Sequence, residues 1–362
     1  MATLISVTAA RAERPFALLL CLLSISLAAA CASPEADSRS SGSVAEPEGT
    51  EREIPVPESP APEFRLTRDQ THSRFSSAIE PVLRVPSGAV VEVFTEEATD
   101  GQLGPESTIE DLMSVSMDPI HPLTGPVYVE GAAPGDVLAV TLHEIEVGDW
   151  AWQAIIPDFG FLADEFAEPY LRTWRFEPGD SVALFTDRIK IPLRPFPGVM
   201  GVAPATDSML STIPPRANGG NMDNRHLTVG TTVYFPVFVE GALFSIGDTH
   251  AAQGDGEVAG TAIEAPMRIV YELNVIKGGR SIEEPQYETE EVYGVTAFAT
   301  TIDEAARKAT GYMIDYLVET HGLARSDAYA LASLAGDLKI SEVVDVPHML
   351  VSMHMPKSVL GI

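Results

Sequence analysis

Short apolar runs bounded by turn signals recur through most of this 362-residue chain and limit what it can fold into. Residues 89–95 and Val137–Val147 are apolar or alternating and rich in β-branched side chains, as is typical of strands. The tripeptides at 134–136 and 178–180, both Pro-Gly-Asp, bound such runs with residues that tight turns favour. Many short strands with frequent turns predict a β-sandwich or jelly-roll-like body.

Helix signals come only near the end of the chain. Thr301 and Glu304 have the spacing of a capping box, and Gly322 supplies a stop. Between them apolar residues follow helical spacing, at Ile302, Ala305, Ala306, Ala309, Met313 and Leu317.

A shorter second helix is predicted from about Ser326 to Gly336, and residues 338–344 return to strand character. The predicted fold class is therefore mainly β with an α+β C-terminal portion, in which a small helix-containing subdomain joins the sandwich body.

The N-terminus has the features of a secretory signal. Arg11 and Arg14 precede an apolar run, residues 15–30, that is short for a membrane span and ends in small residues. Residues 28–31, Ala-Ala-Ala-Cys, resemble a bacterial lipoprotein box. The alternatives are cleavage after an A-x-A site and lipid attachment at Cys31, and both make Cys31 the new N-terminus. We expect an exported protein, lipid-anchored through Cys31 or otherwise periplasmic or secreted.

Residues 31–62 are predicted to form a disordered tether. They are rich in Ser, Pro, Glu and Gly and have almost no large apolar side chain, so they cannot bury enough surface to offset the entropy of ordering. Residues 63–362 are long enough for a substantial core and are predicted to be the catalytic domain.

The charge balance argues against nucleic acid as a partner. The chain has 52 acidic and 23 basic residues and a net charge of −29, which repels phosphate backbones. The same charge disfavours docking on anionic lipid, so membrane contact is expected only through a lipidated N-terminus.

Cysteine content excludes several chemistries from the predicted domain. The only cysteines are Cys21, in the signal segment, and Cys31. Disulfides, thiolate zinc sites and a cysteine nucleophile are therefore excluded there. The sequence also lacks the G-x-S-x-G elbow of serine hydrolases and the phosphate-binding G-x-x-x-x-G-K-[ST] loop.

Candidate reactive side chains concentrate in residues 217–264. Two loops rich in Gly, Asp, Asn and His flank two strand-like runs, at 231–239 and 242–246. Polar side chains at the ends of rigid strands are a common way to build a reactive site.

Four runs of the sequence resemble the acetamidase/formamidase family. They occur in the family's order, at 121–132 (HPLTGPVYVEGA), 194–204 (RPFPGVMGVAP), 219–223 (GGNMD) and 247–257 (GDTHAAQGDGE). The resemblance implies hydrolysis of short aliphatic amides to carboxylate and ammonia, a β-sandwich-like fold with an α+β portion, and homodimers. Members of this family are commonly cytoplasmic, whereas this chain has a leader and a tether.

Hydrolysis of an amide without a covalent nucleophile needs activated water, a group that polarises the carbonyl and an acid for the leaving amine. Glu257, His250 and Gln253 are the candidate catalytic residues, with Glu257 as base or acid. Asp223, His250 and Asp255 are the candidate ligands of a divalent metal, zinc or calcium. Gly219 and Gly220 are expected to take backbone angles that bring main-chain N–H groups near a ligand.

Residues 253–257 are expected to be extended, so that Gln253, Asp255 and Glu257 share one face. The alternatives are structural: Asp223 caps a turn, and Asp255-Gly256 makes a plain hairpin turn.

Asp118 and His121 flank a turn and are weaker candidates for a site. The other histidines considered are interpreted as structural, namely His143, His226, His321, His348 and His354.

Two functions of different classes remain open. The first is an exported amidase acting on small amides, with or without the assistance of a metal. The second is a surface-tethered protein that binds small amides without catalysis, because a fold does not fix a function.

Overall fold

The computed structural model describes residues 59–279 and 281–362. The predicted signal segment, residues 1–30, and residues 31–58 of the predicted tether lie outside the described residues. The strands, in chain order, are β1 (Phe64–Leu66), β2 (Thr71–His72), β3 (Arg74–Phe75), β4 (Leu83–Val85), β5 (Ala89–Phe94), β6 (Leu123–Val129), β7 (Val137–Val147), β8 (Trp150–Ile155), β9 (Tyr170–Arg175), β10 (Val182–Leu184), β11 (Lys190–Pro192), β12 (Phe196–Gly201), β13 (Leu210–Ser211), β14 (Gly219–Asn221), β15 (Thr232–Pro236), β16 (Phe244–Ala252), β17 (Ile263–Glu264), β18 (Met267–Ile276), β19 (Gln286–Glu288), β20 (Val292–Ala299), β21 (Asp337–Glu342) and β22 (Met349–Pro356). The helices are α1 (Ile109–Met113), α2 (Ile302–His321), α3 (Arg325–Ala335) and α4 (Lys357–Leu360).

Two large sheets form the body. The first has the strand order β1-β5-β18-β7-β15-β19-β20-β22-β21. The second has the order β14-β12-β16-β17-β8-β9, with β6 pairing to β16 and carrying β2 and β4. Most neighbours are antiparallel, and β16 is central in the second sheet because it pairs with β12, β6 and β17.

The main core lies between the two sheets. Phe244 of β16 packs against Tyr271 of β18 with ring centroids 5.4 Å apart, and against Phe235 of β15 at 5.8 Å. All three side chains are fully buried and belong to one apolar cluster. Side chains from the inner faces of both sheets therefore share one core, which confirms the predicted mainly β sandwich.

The C-terminal helices pack on the strands β20 and β22 of the first sheet. The apolar stripe predicted for α2 is buried there in its own cluster, as Ala305, Met313 and Leu317 show. Thr301 caps α2 by accepting from the Glu304 N–H, and Gly322 ends it with φ 68°, as the sequence predicted. No helix in residues 59–279 or 281–362 has the length and apolar character needed to cross a membrane.

The strands at the predicted site differ from expectation. The run at 242–246 begins as strand only at Phe244, because Ala242 and Leu243 adopt left-handed backbone angles, φ 57° and 58°. The strand then continues to Ala252, through residues that were predicted to belong to the polar loop after the run. His250 therefore lies within a central strand and not beyond its end.

Candidate active site

Five buried side chains converge on one end of β16. Asp248 and His250 lie two residues apart on that strand, so both point to the same face. Glu264 of β17 is the direct partner of His250 across the strand pair. Asp223 follows β14, and Glu257 lies in the connection between β16 and β17. The chain thus gathers four carboxylates and an imidazole from three separate segments, all buried.

The imidazole of His250 is surrounded by three of these carboxylates. Its Nδ1 atom is 3.6 Å from Oδ1 of Asp223. Its Nε2 atom is 3.6 Å from Oδ2 of Asp248 and 3.2 Å from Oε2 of Glu264. His121 extends the group, with its Nε2 atom 3.8 Å from Oδ2 of Asp248.

Gln253 fixes the tautomer of His250. Its Nε2 amide donates to the backbone carbonyl of Asp223 at 2.7 Å, which turns its Oε1 atom toward Nδ1 of His250 at 2.8 Å. An amide oxygen only accepts, so Nδ1 of His250 carries the hydrogen. The Nε2 atom then faces Asp248 and Glu264, where it holds either a second proton or a cation.

Gly198 lies directly beneath the cluster on β12, where no larger residue fits. A Cβ atom added there would be 2.5 Å from Oδ1 of Asp223 and 2.8 Å from Cε1 of His250. The absence of a side chain at Gly198 therefore permits the close approach of Asp223 and His250.

Two more buried carboxylates come from the end of β21 and the connection to β22. Asp345 lines the same cavity, and its Oδ2 atom accepts from the Asn221 amide at 2.7 Å. Glu342 accepts from the backbone N–H groups of Val344 and Asp345 at 2.9 and 3.1 Å. The C-terminal part of the chain thus adds two buried carboxyl groups to a site built mostly from residues 219–264.

Burial of so many like charges changes their protonation. Desolvation raises the pKa of Glu257 well above its usual value, and the charge of Asp223 adds to the effect. Burial likewise raises the pKa of Asp345 strongly, the pKa of Glu342 to about 8, and the pKa values of Asp223 and Glu264. These carboxyl groups therefore give up their protons less readily than carboxyl groups in water.

Asp248 and His250 respond in the opposite way. Burial opposes ionisation of Asp248, but the charges of His121 and His250 lower its pKa. Burial also opposes protonation of His250, but Glu264 and Asp248 raise its pKa well above the usual value. An ionised Asp248 thus lies beside an imidazole that readily holds positive charge.

The arrangement fits a divalent cation. Two sets of side chains place one possible ligand atom each within 4.8 Å of one another, and they are Asp223 with Asp248 and His250, and His250 with Glu257 and Glu264. Both carboxylate oxygens of Asp223 and Oε2 of Glu264 are buried without a hydrogen bond. Buried carboxylate oxygens usually have a partner, so these atoms indicate where a cation would be coordinated.

A cavity of about 280 Å³ opens above the cluster. Its floor includes Asp223, Asp248, His250, Glu257 and Glu264. Its walls are largely apolar and come from the segment after β5, from α1 and the residues that follow it, and from β8 and the segment after it.

The predicted site residues do not all meet. Asp223, His250 and Glu257 lie at the cavity floor. Gln253 does not line the cavity, and its Oε1 atom accepts a hydrogen bond from Nδ1 of His250. Asp255 belongs to neither ligand set, since it is exposed and lies 3.4 Å from Nε2 of His226.

The prediction that Gln253, Asp255 and Glu257 share one face of an extended segment is wrong. Residues 254–257 make a turn, closed by a 3.3 Å hydrogen bond from the Glu257 N–H to the Gly254 carbonyl. The turn aims the three side chains in different directions. The glycines Gly219 and Gly220 do have the predicted unusual angles, φ 90° and 91°.

Four members of the site were not predicted from the sequence, and they are Asp248, Glu264, Glu342 and Asp345. Asp248 was detectable, because strand alternation places it on the face of His250. Glu264 required the β16–β17 register, and the other two require the tertiary fold. Of the weaker candidates, His121 lines the cavity, whereas Asp118 is exposed and pairs with Arg74 at 2.8 Å.

Comparison with known proteins shows which proteins this chain resembles. An acetamidase from Mycolicibacterium smegmatis is 30% identical over 63% of this chain and 70% of that protein. A formamidase from Methylophilus methylotrophus is 27% identical over 80% of this chain and 89% of that protein.

A solved structure described as a predicted acetamidase/formamidase from Thermoanaerobacter tengcongensis is 33% identical, with a TM-score of 0.77, over 82% of this chain and 97% of that one. The model of the acetamidase/formamidase family matches residues 61–211 and 207–361, which together are most of the chain. The chain therefore belongs to the acetamidase/formamidase family.

Proposed function

We propose that this protein hydrolyses linear amides, of which formamide and acetamide are the shortest, to a carboxylate and ammonia. The observation that carries the proposal is the group of buried carboxylates around His250 at the floor of an open cavity. The family relatives named acetamidase and formamidase support the same reaction.

The reaction adds water to the amide carbonyl and breaks the C–N bond, so that R–CO–NH2 and H2O give R–COO− and NH4+. Asp248, kept ionised by His121 and His250, accepts a hydrogen bond from the water and orients it toward the carbonyl carbon. Glu257 retains a proton because burial raises its pKa, and it donates this proton to the nitrogen as the C–N bond breaks. Asp248 accepts the proton that the water loses as it adds to the carbonyl, and this proton is returned to Glu257. The carboxylic acid product gives its proton to ammonia, so both side chains end in their starting states.

We propose that the carboxylate cluster around His250 also binds a divalent metal. Glu264 and the unprotonated Nε2 of His250 would hold it, because Oε2 of Glu264 lacks a hydrogen bond and lies 3.2 Å from that nitrogen. Asp223 belongs to the other set of possible ligands that shares this imidazole. When bound, such a cation polarises a carbonyl and lowers the pKa of water. An imidazole in the donor set suits zinc better than calcium, which prefers oxygen ligands alone.

The proposal includes export and a homodimer. The apolar run 15–30 and Cys31 support export and a lipid anchor. The homodimer is supported only by the family resemblance. A Cys31→Ser variant that stays in the membrane fraction would contradict the anchor, and a monomeric mass in sedimentation equilibrium would contradict the dimer.

The test combines elemental analysis with an ammonia assay on the purified protein. We expect metal at a constant ratio to protein, and ammonia release from a panel of linear amides that chelation abolishes and added metal restores. If no amide yields ammonia with zinc, manganese or calcium supplied, hydrolysis is contradicted. Saturable binding of the same amides without turnover would then favour the non-catalytic binding protein.

A further inference from the structure

The cavity above the His250 cluster is apolar on the side that faces away from the floor. Its apolar wall includes Ala98, Leu112, Val115, Trp152, Ile156 and Phe159. Five of these residues belong to, or pack against, one local hydrophobic cluster, and they are Ala98, Leu112, Val115, Trp152 and Ile156. Formamide has no carbon chain and acetamide has a single methyl group, so neither covers such a wall.

Trp152 presents only apolar surface to the cavity. Its one hydrogen-bond donor, Nε1, is engaged by the buried carboxylate of Glu97 at 2.7 Å. The same carboxylate accepts from the hydroxyl of Thr99 at 2.6 Å and from the N–H of Gly101 at 2.7 Å. Glu97 thus holds the Trp152 ring and the neighbouring loop in place, and the wall is built before a ligand arrives.

The size of the cavity indicates the size of the group that fills it. A closed apolar cavity of about 150 Å³ takes up benzene. The cavity here is about 280 Å³ and includes the polar floor. It therefore has room for an amide group on the floor together with a hydrocarbon group of about benzene size against the wall.

The polar floor determines the direction of the amide. The amide nitrogen leaves as ammonia after it takes the proton of Glu257, and Glu257 lies on the floor. The nitrogen therefore lies on the floor. The acyl group, on the other side of the carbonyl carbon, points to the apolar wall.

We propose that the apolar wall selects primary amides whose acyl group is an apolar chain or ring of about four to seven carbon atoms. The inference rests on the proposed amide hydrolysis and adds the class of substrate. Each methylene of the acyl group that reaches the wall raises kcat/KM about fourfold, because it leaves water for apolar surface.

The experiment measures kcat/KM for acetamide, butyramide, hexanamide and benzamide with the metal-loaded protein. We expect hexanamide to exceed acetamide by on the order of a hundredfold. If acetamide is hydrolysed as well as hexanamide or better, the substrate class is overturned while amide hydrolysis stands.

Variants of the wall test the assignment of residues. Ala98→Leu fills the cavity and should lower kcat/KM for hexanamide at least tenfold relative to acetamide. Ile156→Ala removes apolar contact without filling the cavity, and it should also reduce the preference for hexanamide over acetamide. Ala330→Leu makes the same change as Ala98→Leu at an exposed position of α3 and should leave the preference unchanged. Unchanged preference in both wall variants would overturn the proposal.

Calorimetry separates this inference from the proposed function if no amide is hydrolysed. Hydrolysis is then contradicted, and the wall is judged by binding alone. Hexanamide that binds at least tenfold more tightly than acetamide supports the wall as the selective surface, and equal binding of the two amides overturns it.

Discussion

Glu264 lies directly opposite His250 in the antiparallel pair β16–β17, and this register places its Oε2 atom 3.2 Å from Nε2 of the imidazole. The Oε2 atom has no hydrogen bond although it is buried. Two rigid strands thus hold a nitrogen and an oxygen ligand atom side by side, which is a more exact placement than loops provide.

Glu264→Gln tests this pair. The substitution keeps the shape and removes one charge from the proposed ligand set, so we expect metal affinity and kcat/KM to fall at least about 10- to 100-fold. The metal-free variant should be as stable as the parent or more stable, since one of several buried like charges is gone. Glu290→Gln, at an exposed position, is the matched control. Metal titration by calorimetry checks the result, and equal affinity in both variants would remove Glu264 from the ligand set.

Gly198→Ala tests the close packing beneath the cluster. The added methyl group would meet Oδ1 of Asp223 and the ring of His250, so those side chains must shift. A shift of about 1 Å at a catalytic group costs on the order of a hundredfold in rate. Gly254→Ala is the control, because an added Cβ there meets no atom within 4 Å. Ammonia release should fall only in the first variant, and equal rates would show that the cluster tolerates movement.

Trp152→Phe tests the anchor of the apolar wall. It removes the donor that Nε1 supplies to the buried Glu97, so we expect the free energy of unfolding to fall by about 1–3 kcal/mol. Trp150→Phe is the control, since the half-buried Trp150 makes no such hydrogen bond to a residue within 59–279 or 281–362. Urea denaturation measures both, and a loss at Trp150 as large as at Trp152 would contradict the role of the Glu97 contact.

His72 should make the folded state sensitive to acid. Burial lowers its pKa to about 4, although the Arg74 carbonyl, at 2.6 Å from Nδ1, opposes the shift. The unfolded imidazole has an ordinary pKa of 6.5 and so binds a proton first as the pH falls. The free energy of unfolding therefore falls as the pH drops from about 6.5 to 4, by about 1–3 kcal/mol for this residue.

The comparison for His72 is its His72→Gln variant in denaturant titrations across that pH range. His354, whose pKa is lowered to about 4 by burial, acts in the same direction in both proteins. The loss of stability toward acid should therefore be smaller in the variant and not absent. Parallel pH curves for the two proteins would contradict the assignment to His72.

Local signals predicted α2 and α3, because the ends of these helices depend on neighbouring residues, but they did not lead to a prediction of α1 or α4. Thr301 and Gly322 flank α2 as the capping and stop signals indicated. Strand ends depend more on tertiary context. Ala242 and Leu243 look like strand residues, yet the turn before β16 holds both in left-handed angles.

The site was predictable only where its members are close in sequence. His250, Glu257 and Asp223 were found because they lie in one polar stretch. Asp345 joins them from a distant connection between β21 and β22, and nothing local marks it. Asp255 was predicted to be a metal ligand because it lies two residues from Glu257 in the sequence. The turn at 254–257 instead places its carboxylate beside His226.

The most direct test of the account is ammonia release from hexanamide by the metal-loaded protein and by its Glu257→Gln variant. Gln cannot supply the proton that Glu257 is proposed to give to the leaving nitrogen, so we expect kcat to fall by about 100-fold or more while the protein stays folded and binds metal. A variant that releases ammonia at the rate of the parent protein would contradict the central claim that the buried cluster around His250 performs the hydrolysis.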